Sequence, residues 1–197
     1  MNFEELPFEN VESVSNTELI FKPCSICTFY EPDSVLFTFG NVRQTSDGFT
    51  TVYTDGSCLG NGRRNPRAGI GIFFGPESIL NVSRKLPERY TQTNNNAEIV
   101  AVLTAFQICR KLSFFKVEIR TDSKFLLTCL TTYLPLWQSN GWLRTNKKPV
   151  KNKEELLELG RELRDFTVRW VHVPAHSNDR RSIGNDYADF LAQIALL

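Results

Sequence analysis

A chain of 197 residues with 41% apolar side chains can hold one domain of ordinary size with a real core, and its length argues against two full-sized domains. The net charge of +1 hides an asymmetry. Residues 1–50 carry eight acids and two bases and residues 51–197 fourteen acids and twenty-one bases, so a tail of about −6 precedes a body of about +7, the sign a nucleic-acid binder needs. Five irregularly placed cysteines (Cys24, Cys27, Cys58, Cys109, Cys129) argue against a secreted disulfide scaffold. No stretch approaches the roughly 18 apolar residues of a membrane span, and acids rather than bases lead the chain, unlike a signal or transit peptide. These features predict a protein of a reducing compartment, cytoplasmic or nuclear, with no membrane association.

Residues 1–49 mix acids with scattered apolar residues (Phe3, Phe8, Leu19, Ile20, Phe21) in no sustained period, and are read as an acidic extension of unreadable role, with the domain running from 50 to 197. From Thr50 the signals sharpen. The β-rich run Phe49 to Thr54 meets an apparent turn at Asp55-Gly56-Ser57, and strands follow at Ala68–Phe74 and Ser78–Ser83, most simply an antiparallel meander. From Thr93 to Leu112 the period changes to that of a helix, with Ala97, Val100, Ala101, Thr104, Ala105 and Ile108 on one face and Thr93 or Asn94 as N-cap. Lys116–Thr121 alternates as a strand. Asp122-Ser123 then caps a helix that Pro135 is expected to stop. A basic stretch, Arg144 to Lys153, leads to a helix over 154–165, a strand over 166–171 and a last helix over 183–196. The order βββαβααβα predicts an α/β fold, a mixed five-stranded sheet flanked by helices.

The acids fall on this scheme in a pattern. Asp55 and Asp122 end adjacent strands, Glu98 lies in the first turns of the long helix, and Asp189 is in the last helix. Each has an ordinary alternative role, since Asp caps helices and Glu complements a helix dipole. As a set held close together, they repel unless cations fill the gap, and hard oxygen donors suit Mg²⁺ or Mn²⁺ better than zinc.

Five motifs in order, Tyr53-Thr54-Asp55-Gly56-Ser57, Thr93-Asn94-Asn95-Asn96-Ala97-Glu98, Arg120-Thr121-Asp122-Ser123, Trp142 with Val150-Lys151-Asn152-Lys153, and Gly184-Asn185-Asp186-Tyr187-Ala188-Asp189, resemble ribonuclease H type 1 from about Thr50 onward. The resemblance implies a ribonuclease H-like fold and an endonuclease that cuts the RNA strand of RNA–DNA hybrids, leaving 5′-phosphate and 3′-hydroxyl ends. It implies that Asp55, Glu98, Asp122 and Asp189 hold two Mg²⁺ ions, with Mn²⁺ as a substitute, one activating water and the other stabilising the leaving oxygen. Asp189 matches the last acid of the family pattern and Asp186 the preceding one, so an auxiliary role for Asp186 stays open. His176 matches a loop histidine that assists proton transfer or product release, here followed by a longer loop. Asn61, Asn94 and Asn95 match residues that read the minor groove and the RNA 2′-hydroxyls. Thr93 and Asn152 match a phosphate pocket on the DNA side, and Trp137, Trp142, Lys147 and Lys148 a basic protrusion. A monomer without a small-molecule cofactor is expected.

The metal-like spacings Cys24-x-x-Cys27 and His172-x-x-x-His176 are about 144 residues apart, too far for a compact zinc finger. Three other readings compete: a non-catalytic hybrid-binding module, a DNA nuclease or transposase on the same architecture, and a protein-interaction domain that uses the acidic tail.

Overall fold

The computed structural model describes residues 36–38, 41–175 and 182–197, with only the backbone at 36–38. In chain order the described elements are β1 (Leu36–Thr38), β2 (Val42–Gln44), β3 (Thr50–Leu59), β4 (Arg67–Phe73), β5 (Val82–Lys85), α1 (Asn94–Lys111), β6 (Lys116–Thr121), α2 (Lys124–Thr128), α3 (Leu134–Ser139), α4 (Lys153–Glu162), β7 (Thr167–His172) and α5 (Ile183–Ile194). The five expected strands, β3 to β7, form one mixed sheet, joined by the short β1 and β2 that the sequence did not announce. β4 lies antiparallel between β3 and β5, while β6 runs parallel to β3 and β7 parallel to β6. β2 meets β3 at Gln44↔Thr50, and the Arg43 amide donates to the Phe74 carbonyl at 3.2 Å, so this hairpin continues the β4 side of β3. Val42 is wholly buried in the main core.

α1 is the centre of the molecule. The sequence predicted one apolar face, but Asn96 through Phe106 are all buried, because α1 lies on the sheet and α4 packs on α1 with Leu156 and Leu159 fully buried. A helix apolar all round is what such a sandwiched position selects. Thr93 is its N-cap, its hydroxyl oxygen accepting from the Asn96 amide at 3.2 Å.

Three expectations are corrected. β3 does not end at Asp55 but runs on to Leu59, pairing Asp55 with Gly71 across the meander. The third strand begins at Val82, not Ser78: Asn81 uses its side chain to accept from the Phe74 amide and donate to the Gly75 carbonyl, each at 2.8 Å, which closes a turn and leaves Ile79 80% exposed. Pro135 does not stop the helix. A π-helical turn (Cys129–Tyr133) joins α2 to α3, with the Leu134 amide bonded to the Cys129 carbonyl. The widened turn places Pro135 at the start of a new α register, where its missing N–H and its ring are tolerated. Among the described residues no helix is long and apolar enough to cross a membrane.

Candidate active site

The parallel register of β3 and β6 ends at Tyr53↔Arg120, so Asp55 and Asp122, each two residues further along, come level. Glu98 reaches them because Gly56 has no side chain: a Cβ there would lie 2.4 Å from the Glu98 amide nitrogen and 2.7 Å from the Ala97 Cβ. The glycine that reads as a turn residue is where α1 presses onto the strand. Asp55 and Glu98 are buried, Asp122 is half-buried, and each offers a carboxylate oxygen within 4.8 Å of the other two.

α5 is pressed down in the same way. A Cβ on Gly71 would lie 1.9 Å from the Ala188 carbonyl oxygen, one on Gly69 2.5 Å from that of Ala192, and one on Gly184 2.4 Å from the Tyr53 ring. This close packing brings Asp189 beside Asp55, with Gln193 Nε2 donating to Asp189 Oδ1 at 2.7 Å. Asn185, wholly buried, donates from Nδ2 to Asp122 Oδ2 at 3.0 Å. Because an ionised carboxylate only accepts, the amide end facing Asp122 must be the donor.

Removal from water, together with the negative charges of Asp122 and Asp189, pushes the Asp55 carboxyl up to about 8. Glu98 is raised well above the carboxylate range, first by burial and then by Asp55 and Asp122. No lysine or arginine among the described residues forms an ion pair with Asp55, Glu98 or Asp122, and Glu98 Oε2 is buried without a hydrogen-bond partner among them. A purely carboxylate donor set, one oxygen of it unclaimed, fits a hard divalent cation.

A groove of about 410 Å³ is lined by Asn95, three residues before Glu98 on α1, and Lys124, two after Asp122, together with Phe125, Tyr133, Trp137 and Asn152 among others. Tyr133 stacks on Trp137 at 5.2 Å between ring centroids. Trp142 is buried behind Trp137, at 6.2 Å, with Lys153 over its ring. It therefore supports the groove wall rather than lining it. Asn152 donates to the buried Asn96 side chain, whose own Nδ2 donates to the Thr91 carbonyl at 2.9 Å, so Asn152 is fixed close to the N-terminus of α1. Asn61 Oδ1 accepts from the Asn94 amide at 3.3 Å, bringing those two together at the same helix end. Lys147 and Lys148 stand exposed on the following loop, which Arg144 closes through bonds to Lys148 and Pro149.

The sequence reading missed Asn185, and it missed Phe125, Cys129 and Tyr133, which share the groove with Trp137. Their spacing of four residues along α2 to α3 was the available signal, obscured by the assumption of a break at Pro135. His176, Cys24 and Cys27 lie outside the described residues.

Comparison with known proteins agrees with this architecture. The RNase H family matches residues 47–196. The chain is 43% identical over 145 residues to Ribonuclease H1 of Homo sapiens, covering 74% of this chain and 49% of that protein, so it spans about half that relative's length. It is 34% identical to Ribonuclease H of Ruthia magnifica subsp. Calyptogena magnifica, covering 74% of this chain and 93% of the other. A foamy viral protease-reverse transcriptase solved in complex with RNA/DNA hybrid aligns with TM-score 0.60 at 25% identity, over 94% of this chain and 23% of that one. With a family match across residues 47–196 and a relative 34% identical of which it covers 93%, this chain belongs to the RNase H family.

Proposed function

We propose that residues 50–197 form an endonuclease that hydrolyses the RNA strand of RNA–DNA hybrids with the help of Mg²⁺, or Mn²⁺ in its place, residues 1–49 being an extension. The observation that carries this reading is a buried carboxylate cluster that no lysine or arginine among the described residues pairs with, in a fold that also holds a groove of aromatic and basic side chains starting from Asn95 and Lys124. The relative solved with an RNA/DNA hybrid supports the choice of substrate.

Asp55, Glu98, Asp122 and Asp189 would hold the metal ions. Bound there, divalent cations supply Lewis acidity at the scissile phosphate and lower the cost of deprotonating water. The chain's own work is positioning. β3 and β6 fix Asp55 and Asp122 level with each other, α1 and α5 deliver Glu98 and Asp189, and Asn185 holds one oxygen of Asp122. The amides of Asn61, Asn94 and Asn95, at the head of α1, can both donate and accept, as reading a ribose 2′-hydroxyl requires. Asn152 and Thr93, tied to the same helix end through Asn96, suit a backbone phosphate of the DNA strand, and Trp137 offers a face to its sugars. Lys147 and Lys148 add attraction for that strand. His176 is assigned proton handling at the reacting phosphate, which an imidazole serves near neutral pH.

End-labelled hybrid, RNA duplex, DNA duplex and single strands are incubated with the full chain, with Mg²⁺, with Mn²⁺ and with chelator. The expected result is cutting of the RNA strand of the hybrid alone, dependent on metal and leaving 5′-phosphate ends. Equal cutting of duplex DNA would favour a DNA nuclease, and binding of hybrid without cutting would favour a non-catalytic module.

A further inference from the structure

α5 has two apolar faces. The inner one, Gly184, Ala188 and Ala192 with Asn185, is built from small groups because it lies against Gly69, Gly71 and Tyr53. The outer one carries Ile183, Tyr187, Phe190 and Ile194, spaced four, three and four residues apart in a single stripe. A surface helix ordinarily keeps charge on its outer face. Here Phe190 is 57% exposed, Ile183, Tyr187 and Ile194 are half-exposed, and nothing among the described residues covers Phe190. Tyr187 extends the stripe to Phe73, on which it stacks at 4.8 Å.

The same chain holds a second apolar stretch in need of cover. Although residues 1–35 are acidic as a whole, Leu19-Ile20-Phe21-Lys22-Pro23-Cys24-Ser25-Ile26-Cys27-Thr28-Phe29-Tyr30 bears one charge, that of Lys22. α5 has Asp186 and Asp189 and no lysine or arginine, so the single charge is complementary. The stretch joins the fold five residues later, at β1, a tether of about 17 Å when extended. From β1 the pairings lead to the base of α5: Leu36 to Gln44, Gln44 to Thr50, and three residues on to Tyr53, whose ring lies under Gly184. A tethered segment meets such a surface at high effective concentration.

We propose that residues 19–30 fold back over the outer stripe of α5, an intramolecular cover for the helix that carries Asp189. The test is hydrogen–deuterium exchange on the full chain, with sedimentation at two concentrations. Amides of residues 19–30 are expected to exchange at least about tenfold more slowly in the unaltered protein than in F190S/I194S, with both proteins monomeric. Should that variant not fold, the reciprocal F21S/I26S, placed in the tail, is expected to speed exchange in α5 relative to the unaltered chain. Equal exchange in the unaltered protein and whichever variant folds overturns the proposal. So does protection that grows with concentration alongside a dimer, which would assign the stripe to a second copy of the chain.

Discussion

Glu118 and the pair Asp55 and Glu98 are buried acids on neighbouring elements of one fold, and they are treated in opposite ways. Glu118, on β6, accepts from Arg120 Nε at 2.8 Å and from an Arg169 guanidinium nitrogen at 3.0 Å. Those arginines are themselves held: Arg120 donates to the Tyr53 hydroxyl at 3.0 Å, and Arg169 pairs with Asp47 and lies 4.1 Å over the Phe49 ring. Asp55 and Glu98 are nearly as buried and receive no guanidinium among the described residues. Taking a carboxylate out of water costs several kcal/mol in either place. Where the fold supplies the compensating charge, the acid is part of the architecture. Where no such charge stands among the described residues, the acids form a cluster compatible with a divalent cation.

The sharpest way to break this contrast is Asp122→Asn, which keeps the shape and removes a charge that meets the Asn185 amide but no lysine or arginine among the described residues. Cleavage of hybrid should fall to below about a thousandth, or ~4 kcal/mol of transition-state stabilisation, while hybrid affinity persists. In chelator the melting temperature should hold or rise, because one like charge has gone. Undiminished cutting would remove Asp122 from the metal-binding set.

Glu118→Ala should show the converse signature. Two guanidiniums lose their shared partner, and because both are partly exposed the loss is about 1–3 kcal/mol of stability, read from the denaturant midpoint. The loss should be the same with and without Mg²⁺, and cleavage per folded molecule should change little. A variant that kept its stability but lost cleavage would show that Glu118 belongs with the catalytic acids.

pH sharpens the comparison further. Asp55 sits near 8 in the folded protein against about 3.9 when unfolded, and Glu98 is shifted in the same direction. The folded state therefore holds these protons more tightly than the unfolded chain. Their contribution to stability is complete below about pH 4 and is lost as pH rises through 8. Metal that replaces the protons restores it, so the rise in melting temperature on adding Mg²⁺ should be larger at pH 8 than at pH 5. An equal rise at both would mean that the metal binds elsewhere.

The positions of Asp55, Glu98 and Asp122 were legible because strand and helix periods place them, and the parallel register does the rest. What Gly56 does was not legible. A glycine after an aspartate carries the same local signal whether it turns the chain or admits a helix, and only the Ala97–Glu98 backbone 2.4–2.7 Å from its missing Cβ distinguishes the two. The continuation through Pro135 was hidden for a similar reason: a π turn leaves no mark in residue type, so the helix was expected to stop where the ladder of Phe125, Cys129 and Tyr133 runs on to Trp137. β1 and β2 escaped notice because three-residue strands are too short for a period. Asn185 was passed over because an amide beside an acid is ordinary in a helix's first turn, and its bond to Asp122 depends on how closely α5 lies on the sheet.

The smallest expected effect concerns a third kind of charge, cations that pair with no acid among the described residues. Lys147 and Lys148 are exposed on a loop whose shape is set by backbone bonds and by Arg144 rather than by their ammonium groups. Replacing both with alanine should change stability by no more than about 0.5 kcal/mol. If each meets one phosphate, the slope of log affinity against log salt should flatten by up to about 2, with a weakening that fades as salt rises. Fluorescence anisotropy of a labelled hybrid across a salt series measures both. An unchanged slope would confine phosphate contact to the groove itself, around Trp137, Lys151 and Asn152, and would leave the loop as a solvated turn whose lysines serve solubility.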